Sequence, residues 1–332
     1  METQVFTSYD GKKLFCSVWD KVEKPIGIVQ ILHGMAEHSR RYDDFASYLN
    51  KKGIIVFADD HRAHGKTMER QGFDEGDIFD ETVKDEIEIT KYLKNFYHLP
   101  VVIFGHSYGS FLAQAYIQRN ALNIAGAVLC GSSSMDNALA KTGSVIANIM
   151  YSTTKKKDKP SKILDKMSFG SFNKPFKSEN TDFAWLSKDK EQVQKYIDDD
   201  MCGYVMSLAF FKYFTEGMKN LYKKENLAKI PKNLPLRIMS GQNDPVSGKN
   251  NRDVKKLYNM YKNLGLETID FVIYEGDRHE ILNETNKDVV YDDTFNFLKH
   301  IFQVKVDPKE YKAPQNKSKK KIKMQEKQQN KK

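Results

Sequence analysis

The sequence of 332 residues predicts an α/β domain with a mostly parallel, doubly wound sheet and an inserted helical segment. Short, continuously apolar stretches alternate with helix-patterned stretches, which is typical of strands that helices bury on both faces. The alternation stops after Gly131 and resumes at Leu236, and the stretch between them is helical in pattern and lacks strand-like runs. We therefore expect a core domain at residues 1–131 and 234–306, interrupted by an α-helical cap at residues 132–233.

The N-terminal half supplies the first part of the predicted sheet. Residues 7–11 contain an Asp-Gly turn, so residues 14–19 are predicted to form the second strand of a hairpin. Apolar runs then predict further strands, and a 3.6-residue periodicity predicts helices between them. These strands span residues 26–32, 54–58, 101–104 and 124–129, and the helices span residues 39–51, 79–97 and 108–119.

The alternation returns after the predicted cap, with strands at residues 236–240 and 268–274 and helices at residues 249–263 and 288–302. Beyond residue 306 the chain is rich in Lys, Gln and Asn and nearly free of large apolar side chains. Such a composition cannot bury enough apolar surface to offset the loss of chain entropy on folding. Residues 307–332 are therefore predicted to form a disordered, Lys-rich tail.

The charge is concentrated at the C-terminus. The formal net charge is +9 at pH 7, but residues 312–332 alone contain nine lysines and one glutamate. The rest of the chain is nearly neutral, which argues against a nucleic-acid partner, because such a protein carries a basic face on its folded domain. The tail lysines would be attracted to an anionic membrane surface by about 1 kcal/mol per charge. A solvated tail is the favoured alternative, so we expect at most a weak membrane contact.

The cysteines and the N-terminus favour a cytoplasmic protein. The three cysteines lie far apart and are odd in number, so they predict neither a disulfide framework nor a CxxC metal site: Cys16, Cys130 and Cys202. The N-terminus has no basic start followed by an apolar stretch, and no run of 18 apolar residues predicts a membrane span.

A candidate nucleophile lies in residues 105–109, Gly-His-Ser-Tyr-Gly, which match the pattern G-x-S-x-G. The motif follows the apolar run at residues 101–104 and precedes a predicted helix, which is the strand–turn–helix context of a nucleophile elbow. Glycine at both ends avoids collisions in the tight turn, and the helix N-terminus favours an oxyanion. A plain Gly-Ser turn is the alternative, but this context predicts Ser107 as a catalytic nucleophile.

The nucleophile needs a base to accept its proton, and the base needs an acid to orient it. With this kind of elbow, the three residues follow the chain order serine, acid, histidine. Only His279 and His300 follow Ser107, and His300 falls within the last predicted helix. Since His279 comes just after the strand that ends at residue 274, where catalytic groups collect, we predict His279 as the base.

The acid is expected after the preceding strand, in the loop of residues 241–246. Asp244 is the natural candidate. Its alternative role is to cap that loop, which Asn243 could equally do. Three other acids are too close in sequence to the histidine that the acid must face, and they are Glu275, Asp277 and Glu280. We therefore predict Asp244 as the third member of the triad.

An oxyanion hole needs two backbone N–H donors, one from the residue after the nucleophile and one from the loop after the third strand. Tyr108 is the first donor. The loop reads His-Gly-Met-Ala-Glu-His over residues 33–38, and its glycine lets the chain pass close to the nucleophile, so Met35 is the second. Losing one such donor typically costs about 3–4 kcal/mol of transition-state stabilisation.

Five separated segments carry sequences that resemble one family, and they span residues 33–38, 60–67, 105–109, 241–246 and 276–284. Together they resemble the monoacylglycerol lipase and bacterial lysophospholipase group, which is also described as serine aminopeptidase S33-like hydrolases. The resemblance covers residues 5–302 and implies the α/β-hydrolase fold. It also implies an esterase without a cofactor, whose cap shapes an acyl pocket.

Two positions depart from the family pattern. Ala63 stands where the family usually has glycine, in the segment Asp-His-Arg-Ala-His-Gly. Met35 stands where a small residue is common, and its side chain would narrow the pocket. Neither position has a role in the predicted triad.

The resemblance predicts a serine hydrolase that cleaves carboxylic esters of monoacyl lipids, such as lysophospholipids or monoacylglycerols, through an acyl-enzyme. An S33-type aminopeptidase and a general short-chain carboxylesterase stay open as alternatives. No metal site is expected, because His61 and His64 lie in a predicted loop and no set of Asp, Glu or His completes a site. A metallohydrolase is therefore disfavoured.

Four residues are candidates for substrate binding. Glu37 and His38 could contact the polar end of the substrate, and stabilisation of their own loop is the alternative. Met206 and Phe210 belong to a cap segment that is apolar all round, which is typical of a helix that is buried or faces a ligand. They are expected to line an acyl chain, with plain packing of the cap as the alternative.

Overall fold

The computed structural model describes residues 1–136 and 138–305, so the predicted tail at residues 307–332 lies outside the described residues. Eight strands in these ranges form one sheet, and they are β1 (Glu2–Thr7), β2 (Lys13–Trp19), β3 (Gly27–Leu32), β4 (Ile54–Asp59), β5 (Val101–His106), β6 (Gly126–Cys130), β7 (Leu236–Gly241) and β8 (Ile269–Tyr274). Their spatial order is β1-β2-β4-β3-β5-β6-β7-β8. The pairs β1–β2 and β2–β4 are antiparallel, and all other neighbours are parallel.

The same ranges contain α1 (Asp43–Lys51), α2 (Ile78–Tyr97), α3 (Tyr108–Asn120), α4 (Ala138–Thr153), α5 (Lys162–Phe169), α6 (Lys190–Ile197), α7 (Leu208–Leu221), α8 (Lys224–Leu227), α9 (Arg252–Asn263) and α10 (Lys287–Lys305). Helices α4 to α8 lie between β6 and β7, in the part of the sequence predicted to form a cap. No helix of the described residues is both long and apolar enough to cross a membrane.

The predicted alternation of strands and helices is confirmed, and the differences lie at element ends. The helix predicted at residues 39–51 begins as a 3₁₀ turn, Ser39–Tyr42, before α1. Helix α2 begins after Asp77, whose carboxylate accepts a hydrogen bond of 3.0 Å from the backbone N–H of Asp80. It ends at His98, which adopts a left-handed conformation with φ of 56°. Caps of this kind set where a helix begins or ends, but they leave the apolar periodicity of its sequence unchanged.

The central strands are buried along their whole length, because helices cover both faces of the sheet. Neighbouring residues point to opposite faces. Ile103 packs in the cluster that contains Leu112 of α3. Phe104 packs on the other face, with its ring 5.3 Å from the ring of Phe45 in α1. Helices α2, α3 and α9 therefore cover one face, while α1 and α10 cover the other.

The loops that follow β3, β5, β7 and β8 all emerge at the carboxyl edge of the parallel strands, where α/β proteins gather their functional groups. The cap is tied to this edge by hydrogen bonds to the core. The backbone N–H of Gly203 donates to the carbonyl of Ala36 at 3.0 Å. The hydroxyl of Tyr204 donates to the carbonyl of Ala63 at 3.1 Å. The cap therefore lies directly over the loops that the sequence analysis singled out.

Candidate active site

Ser107 lies in a sharp turn between β5 and α3, with a φ of 51° and a ψ of −117°. A non-glycine residue with positive φ is strained, and such strain is common at functional sites. A β-carbon on Gly105 would lie 2.4 Å from the carbonyl oxygen of Gly109, and one on Gly109 would lie 1.9 Å from that of Leu32. The strand, turn and helix therefore pack so closely that glycine is required at both flanking positions.

Asp244 and His279 meet at the edge of the sheet, although they come from the loops after β7 and β8. Nδ1 of His279 lies 2.9 Å from Oδ1 of Asp244. The carboxylate also accepts hydrogen bonds from the backbone N–H of Val246, at 2.9 Å, and from the hydroxyl of Ser240, at 3.1 Å. Both side chains are buried, so Asp244 is held rigidly and fixes the orientation of the imidazole ring.

The electrostatics of this pair favour the protonated imidazole. Burial by itself lowers the pKa of His279, but the charge of Asp244 and the hydrogen bond to it outweigh burial. The carboxylates of Glu280 and Glu37 add to this effect, and the pKa of His279 is raised above its ordinary value. Such an arrangement stabilises the imidazolium that forms when a base takes a proton from a nucleophile.

His279 and Ser107 line the same cavity. With Nδ1 facing Asp244, Nε2 is the ring nitrogen left for the serine. The described side chains form no hydrogen bond between the Ser107 hydroxyl and His279 in this arrangement. Catalytic hydrogen bonds are often long before substrate binds and shorten in the complex. The structure thus brings the three residues to one site but leaves the last contact open.

Met35 and Tyr108, the two expected oxyanion donors, line one pocket together with Ser107. As the first residue of α3, Tyr108 has a backbone N–H with no acceptor in its own helix. Among the described residues, the N–H of Met35 has no acceptor either. Two backbone donors beside the serine are therefore available to an oxyanion.

The peptide that carries the Met35 N–H is fixed from both sides. Nε2 of His33 accepts the backbone N–H of His61 at 3.0 Å, so Nδ1 carries the proton and donates to the carbonyl of Gly34 at 2.8 Å. The C=O and N–H of a trans peptide point in opposite directions, so holding this carbonyl sets the direction of the Met35 N–H. Glu37 accepts the N–H of Gly34 at 2.5 Å. Burial lowers the pKa of His33 well below its ordinary value, which keeps the ring neutral.

Arg41 joins this oxyanion loop to the loop that carries the candidate base. Its guanidinium contacts Glu37 at 2.6 Å and makes two contacts of 2.7 Å with Glu280, the residue after His279. The ring of Tyr196, from the cap, lies 4.7 Å from the guanidinium carbon. Burial raises the pKa of Glu280, but Arg41 outweighs burial and holds that pKa at about 2. The sequence analysis missed this network.

Of the four substrate-binding candidates, Glu37 and His38 bond to other parts of the protein. Glu37 accepts hydrogen bonds from Gly34, from Arg41 and, at 2.9 Å, from the hydroxyl of Tyr42. Nε2 of His38 lies 2.8 Å from a carboxylate oxygen of Asp199 in the cap. These contacts support the loop-stabilising alternative for both residues.

Met206 and Phe210, the two expected acyl-lining residues, are buried where the cap packs on the core and do not line either of the two cavities at Ser107. The ring of Phe210 packs 5.1 Å from the ring of Tyr108. Three other residues of α7 do line the apolar cavity and replace them as candidates for contact with an acyl chain: Phe211, Phe214 and Met218. Their spacing of three and four residues, a helical stripe, is the signal that could have identified them.

Two cavities meet at Ser107. The first, the acyl pocket, has a volume of about 210 Å³ and is lined mainly by apolar side chains of α3, α5 and α7, among them Phe111, Leu164, Met167, Phe211, Phe214 and Met218. The second, the vestibule, has a volume of about 530 Å³ and mixes polar with aromatic side chains, among them Asp165, Lys166, Asp182, Phe183, Trp185 and Tyr204. Met35, Ser107 and Phe169 line both cavities. Met35, one of the two departures from the family pattern, thus lies where the cavities join.

Ala63, the other departure, has a φ of 68°, in the left-handed region that glycine adopts most easily. This explains why glycine is usual there. The alanine at this position is fully buried.

Two groups of described side chains bring three possible metal-ligand atoms within 4.8 Å of one another, and they are His38, Asp199 and Cys202, and Asp59, His61 and Glu86. In the second group burial lowers the pKa of His61, but Asp59 and Glu86 outweigh it and raise that pKa to about 10. Asp59 and Glu86 therefore favour the protonated form of the His61 ring. In the first group His38 is already bonded to Asp199.

The sheet order, the elbow and the loops gathered at one edge define the class of α/β hydrolases. The chain belongs to the serine aminopeptidase S33 family, whose sequence profile matches residues 23–286. This confirms the family that the sequence motifs resemble.

Three of the similar proteins are named as lipases or as an esterase. The monoacylglycerol lipase of Mycolicibacterium smegmatis is 27% identical over 299 residues, covering 88% of this chain and 95% of the relative. The monoglyceride lipase of Homo sapiens is 26% identical over 280 residues, covering 83% of this chain and 82% of the relative. A solved carboxyl esterase from Bacillus coagulans, in complex with glycerol, superposes with a TM-score of 0.81 at 28% identity, covering 91% of this chain and 98% of that chain. These comparisons confirm the predicted fold and enzyme class, a serine ester hydrolase.

Proposed function

We propose that this enzyme hydrolyses esters of monoacyl lipids, monoacylglycerols or lysophospholipids, with Ser107, His279 and Asp244 as its catalytic triad. The observation that carries the proposal is the position of Ser107 between an apolar pocket and a polar vestibule. A monoacyl lipid has the same division, with an apolar chain on one side of the ester and a polar alcohol on the other. The names of the relatives from Mycolicibacterium smegmatis and Homo sapiens support this substrate class.

In the proposed mechanism, Ser107 attacks the ester carbonyl while Nε2 of His279 takes the hydroxyl proton. Asp244 keeps the proton of the imidazole on Nδ1 and stabilises the imidazolium. The backbone N–H groups of Met35 and Tyr108 bind the oxyanion of the tetrahedral intermediate. His279 then protonates the leaving alcohol, and water activated by the same residue releases the fatty acid from the acyl-enzyme.

The role of the nucleophile is tested with Ser107→Ala and a water-dispersed monoacylglycerol. We expect kcat to fall by about 10⁴–10⁶, because removing one member of a triad costs nearly as much rate as removing all three. The thermal unfolding midpoint should stay close to that of the unchanged enzyme. Turnover within tenfold of the unchanged enzyme would reject Ser107 as the nucleophile.

The substrate class is tested by changing the acyl pocket at Gly143 of α4. This glycine lines the pocket, and a β-carbon built on it has no neighbour within 4 Å. Gly143→Leu should therefore fill pocket volume, lowering kcat/KM for monolaurin and monopalmitin while leaving monobutyrin nearly unchanged. Gly143→Ala is the matched control, and it should retain all three activities.

The same assays decide between the alternatives. A general short-chain carboxylesterase would prefer the butyrate ester and ignore the Gly143→Leu change. An S33-type aminopeptidase would cleave aminoacyl arylamides faster than p-nitrophenyl acyl esters. Either result would overturn the monoacyl-lipid proposal while leaving the fold and the triad unaffected.

We also propose a cytoplasmic location. The three cysteines are buried and unbridged, which is typical of a reducing compartment. For the Lys-rich residues 307–332 we propose at most a weak contact with anionic membranes. Sedimentation with vesicles of phosphatidylserine and phosphatidylcholine should show a salt-sensitive association that truncation after residue 306 removes, and no association with pure phosphatidylcholine.

A further inference from the structure

The vestibule contains carboxylates that no described side chain pairs. Asp165, on α5, lines the cavity above Ser107, and its side chain makes no hydrogen bond or ion pair with any described residue. It is about half buried, and that burial alone raises its pKa above the ordinary value. An unpaired, partly desolvated carboxylate is costly, and a bound cation would remove that cost.

The other carboxylates at the vestibule wall differ in this respect. Glu37 and Glu280 also line the cavity, but both form ion pairs with the guanidinium of Arg41. Asp182 lines it as well, and like Asp165 it has no ion-pair partner among the described residues. The vestibule therefore offers negative charge that the protein itself does not satisfy.

Aromatic side chains line the same cavity, and one of them lies beside the candidate base. The ring of Trp185 lies 5.0 Å from the ring of His279, which donates the proton to the leaving alcohol in the proposed mechanism. The ring of Phe169 stacks with that of Trp185 at 6.3 Å. Tyr204 adds a third aromatic wall. Aromatic faces attract ammonium groups, and quaternary ammonium groups are bound in such cages.

We infer that the vestibule binds a leaving group that carries an ammonium, with Asp165 as its counter-charge. This inference rests on the proposed ester hydrolysis at Ser107 and adds to it a preference for esters with a cationic alcohol end. Choline supplies the ammonium in two kinds of ester, a simple acylcholine and a zwitterionic lysophospholipid. Lys166 follows Asp165 on α5 and also lines the cavity, so a phosphate beside the ammonium would meet a positive charge.

The experiment compares three esters with the same twelve-carbon chain: lauroylcholine, 1-lauroyl-lysophosphatidylcholine and monolauroylglycerol. Asp165→Asn keeps the size of the side chain and removes its charge. We expect KM for the two choline esters to rise about tenfold, which corresponds to the loss of about 1.4 kcal/mol of binding. Both kinetic constants for monolauroylglycerol should stay within twofold of the unchanged enzyme.

Asp200→Asn is the matched control, because it removes an exposed cap carboxylate that lines neither cavity. It should leave all three substrates unaffected. Lys166→Gln should raise KM for the lysophospholipid alone, which separates the phosphate from the ammonium.

The outcomes separate this inference from the proposal beneath it. If Asp165→Asn changes the three esters equally, or changes none of them, the ammonium site is wrong although ester hydrolysis stands. If the unchanged enzyme cleaves none of the three esters, the proposed function itself fails. Since the side chain of Asp165 makes no hydrogen bond or ion pair with any described residue, its variant should keep the thermal midpoint, and an unchanged midpoint excludes unfolding as the cause of a kinetic change.

Discussion

Arg41 donates two parallel hydrogen bonds to Glu280, each 2.7 Å long, and a third of 2.6 Å to Glu37. Glu37 holds the backbone of the oxyanion loop, and Glu280 directly follows His279. One guanidinium therefore links the loop of the proposed oxyanion donor to the loop of the proposed base. Its planar, bidentate geometry suits this task in a way that a lysine ammonium does not.

The first prediction concerns Arg41→Met, which leaves two buried carboxylates without a counter-charge. Breaking a buried ion pair from one side typically costs about 3–5 kcal/mol, and we expect a loss of this order in the free energy of unfolding. Urea denaturation measures it. An exposed ion pair contributes at most about 1 kcal/mol, so a smaller loss would show that Arg41 does not hold the two carboxylates as buried ion pairs.

The double variant Arg41→Met with Glu280→Gln is the control, since it removes one of the stranded charges and should recover part of the lost stability. The free energy of unfolding at acid pH provides a second measurement. The pKa of Glu280 is about 2 in the folded protein, below its ordinary value, so its stabilising effect is present above that ordinary value. It is lost as pH falls toward 2, and Glu280→Gln should abolish this part of the pH dependence of stability.

The second prediction concerns the tautomer of His279. In Asp244→Asn the amide cannot stabilise an imidazolium, so kcat should fall by about 10⁴. Asp244 raises the pKa of His279, and the base works only when it is unprotonated, so activity is lost as pH falls through that pKa. The residual activity of the variant should therefore persist to lower pH than that of the unchanged enzyme. If the acid side of the pH–activity profile does not shift in the variant, Asp244 does not raise the pKa of His279.

The third prediction concerns the turn around Ser107. Gly109→Ala places a β-carbon 1.9 Å from the backbone carbonyl oxygen of Leu32, and neither backbone can yield cheaply. We expect a loss of at least about 3 kcal/mol in the free energy of unfolding, at the upper end of overpacking effects. Gly143→Ala, which meets no neighbour within 4 Å, should instead keep or raise stability in the same urea titration. Equal stability of the two variants would show that the backbones at Gly109 and Leu32 do not lie this close together.

The fourth prediction concerns His33, a positioning residue for the oxyanion hole. His33→Leu removes the donor to the Gly34 carbonyl, so the peptide that carries the Met35 N–H loses its fixed direction. We expect kcat to fall by about 10–100-fold with KM nearly unchanged, a part of the 10²–10³ that a whole donor is worth. His33→Asn keeps a side-chain donor and should recover some of the rate. A rise in KM alone would instead place the residue in substrate binding.

The three residues of the proposed triad can be selected from the sequence because the signals that point to each of them are local. The turn of Ser107 requires two glycines between a strand and a helix, and the order of residues along the chain then leaves His279 and Asp244. The sequence analysis also preferred Asp244 to Asp277. In the structure Asp277 contacts Lys188 at 2.9 Å and Asn286 at 3.1 Å, away from His279.

The support around those residues could not be predicted in the same way. Arg41 and Glu280 are 239 positions apart, and nothing near either of them marks the other as a partner. The same holds for Trp185, which the packing of the cap places against His279. On α7, Phe210 was the wrong choice for the pocket, because a fully apolar segment does not show which of its sides faces a cavity. The helix rotation set by packing on α2 and α4 turned Phe211 toward the pocket and Phe210 into the core.

By itself, the sequence determined the alternating sheet, the elbow at Ser107 and the order of the candidate triad, because apolar periodicity and turn chemistry act over a few neighbouring residues. Only the tertiary structure decided how the cap sits over the site, which side chains line the two cavities and which charges stay unpaired, Asp165 among them. Those features depend on burial and on contacts between distant segments, and they arise only when the chain has packed.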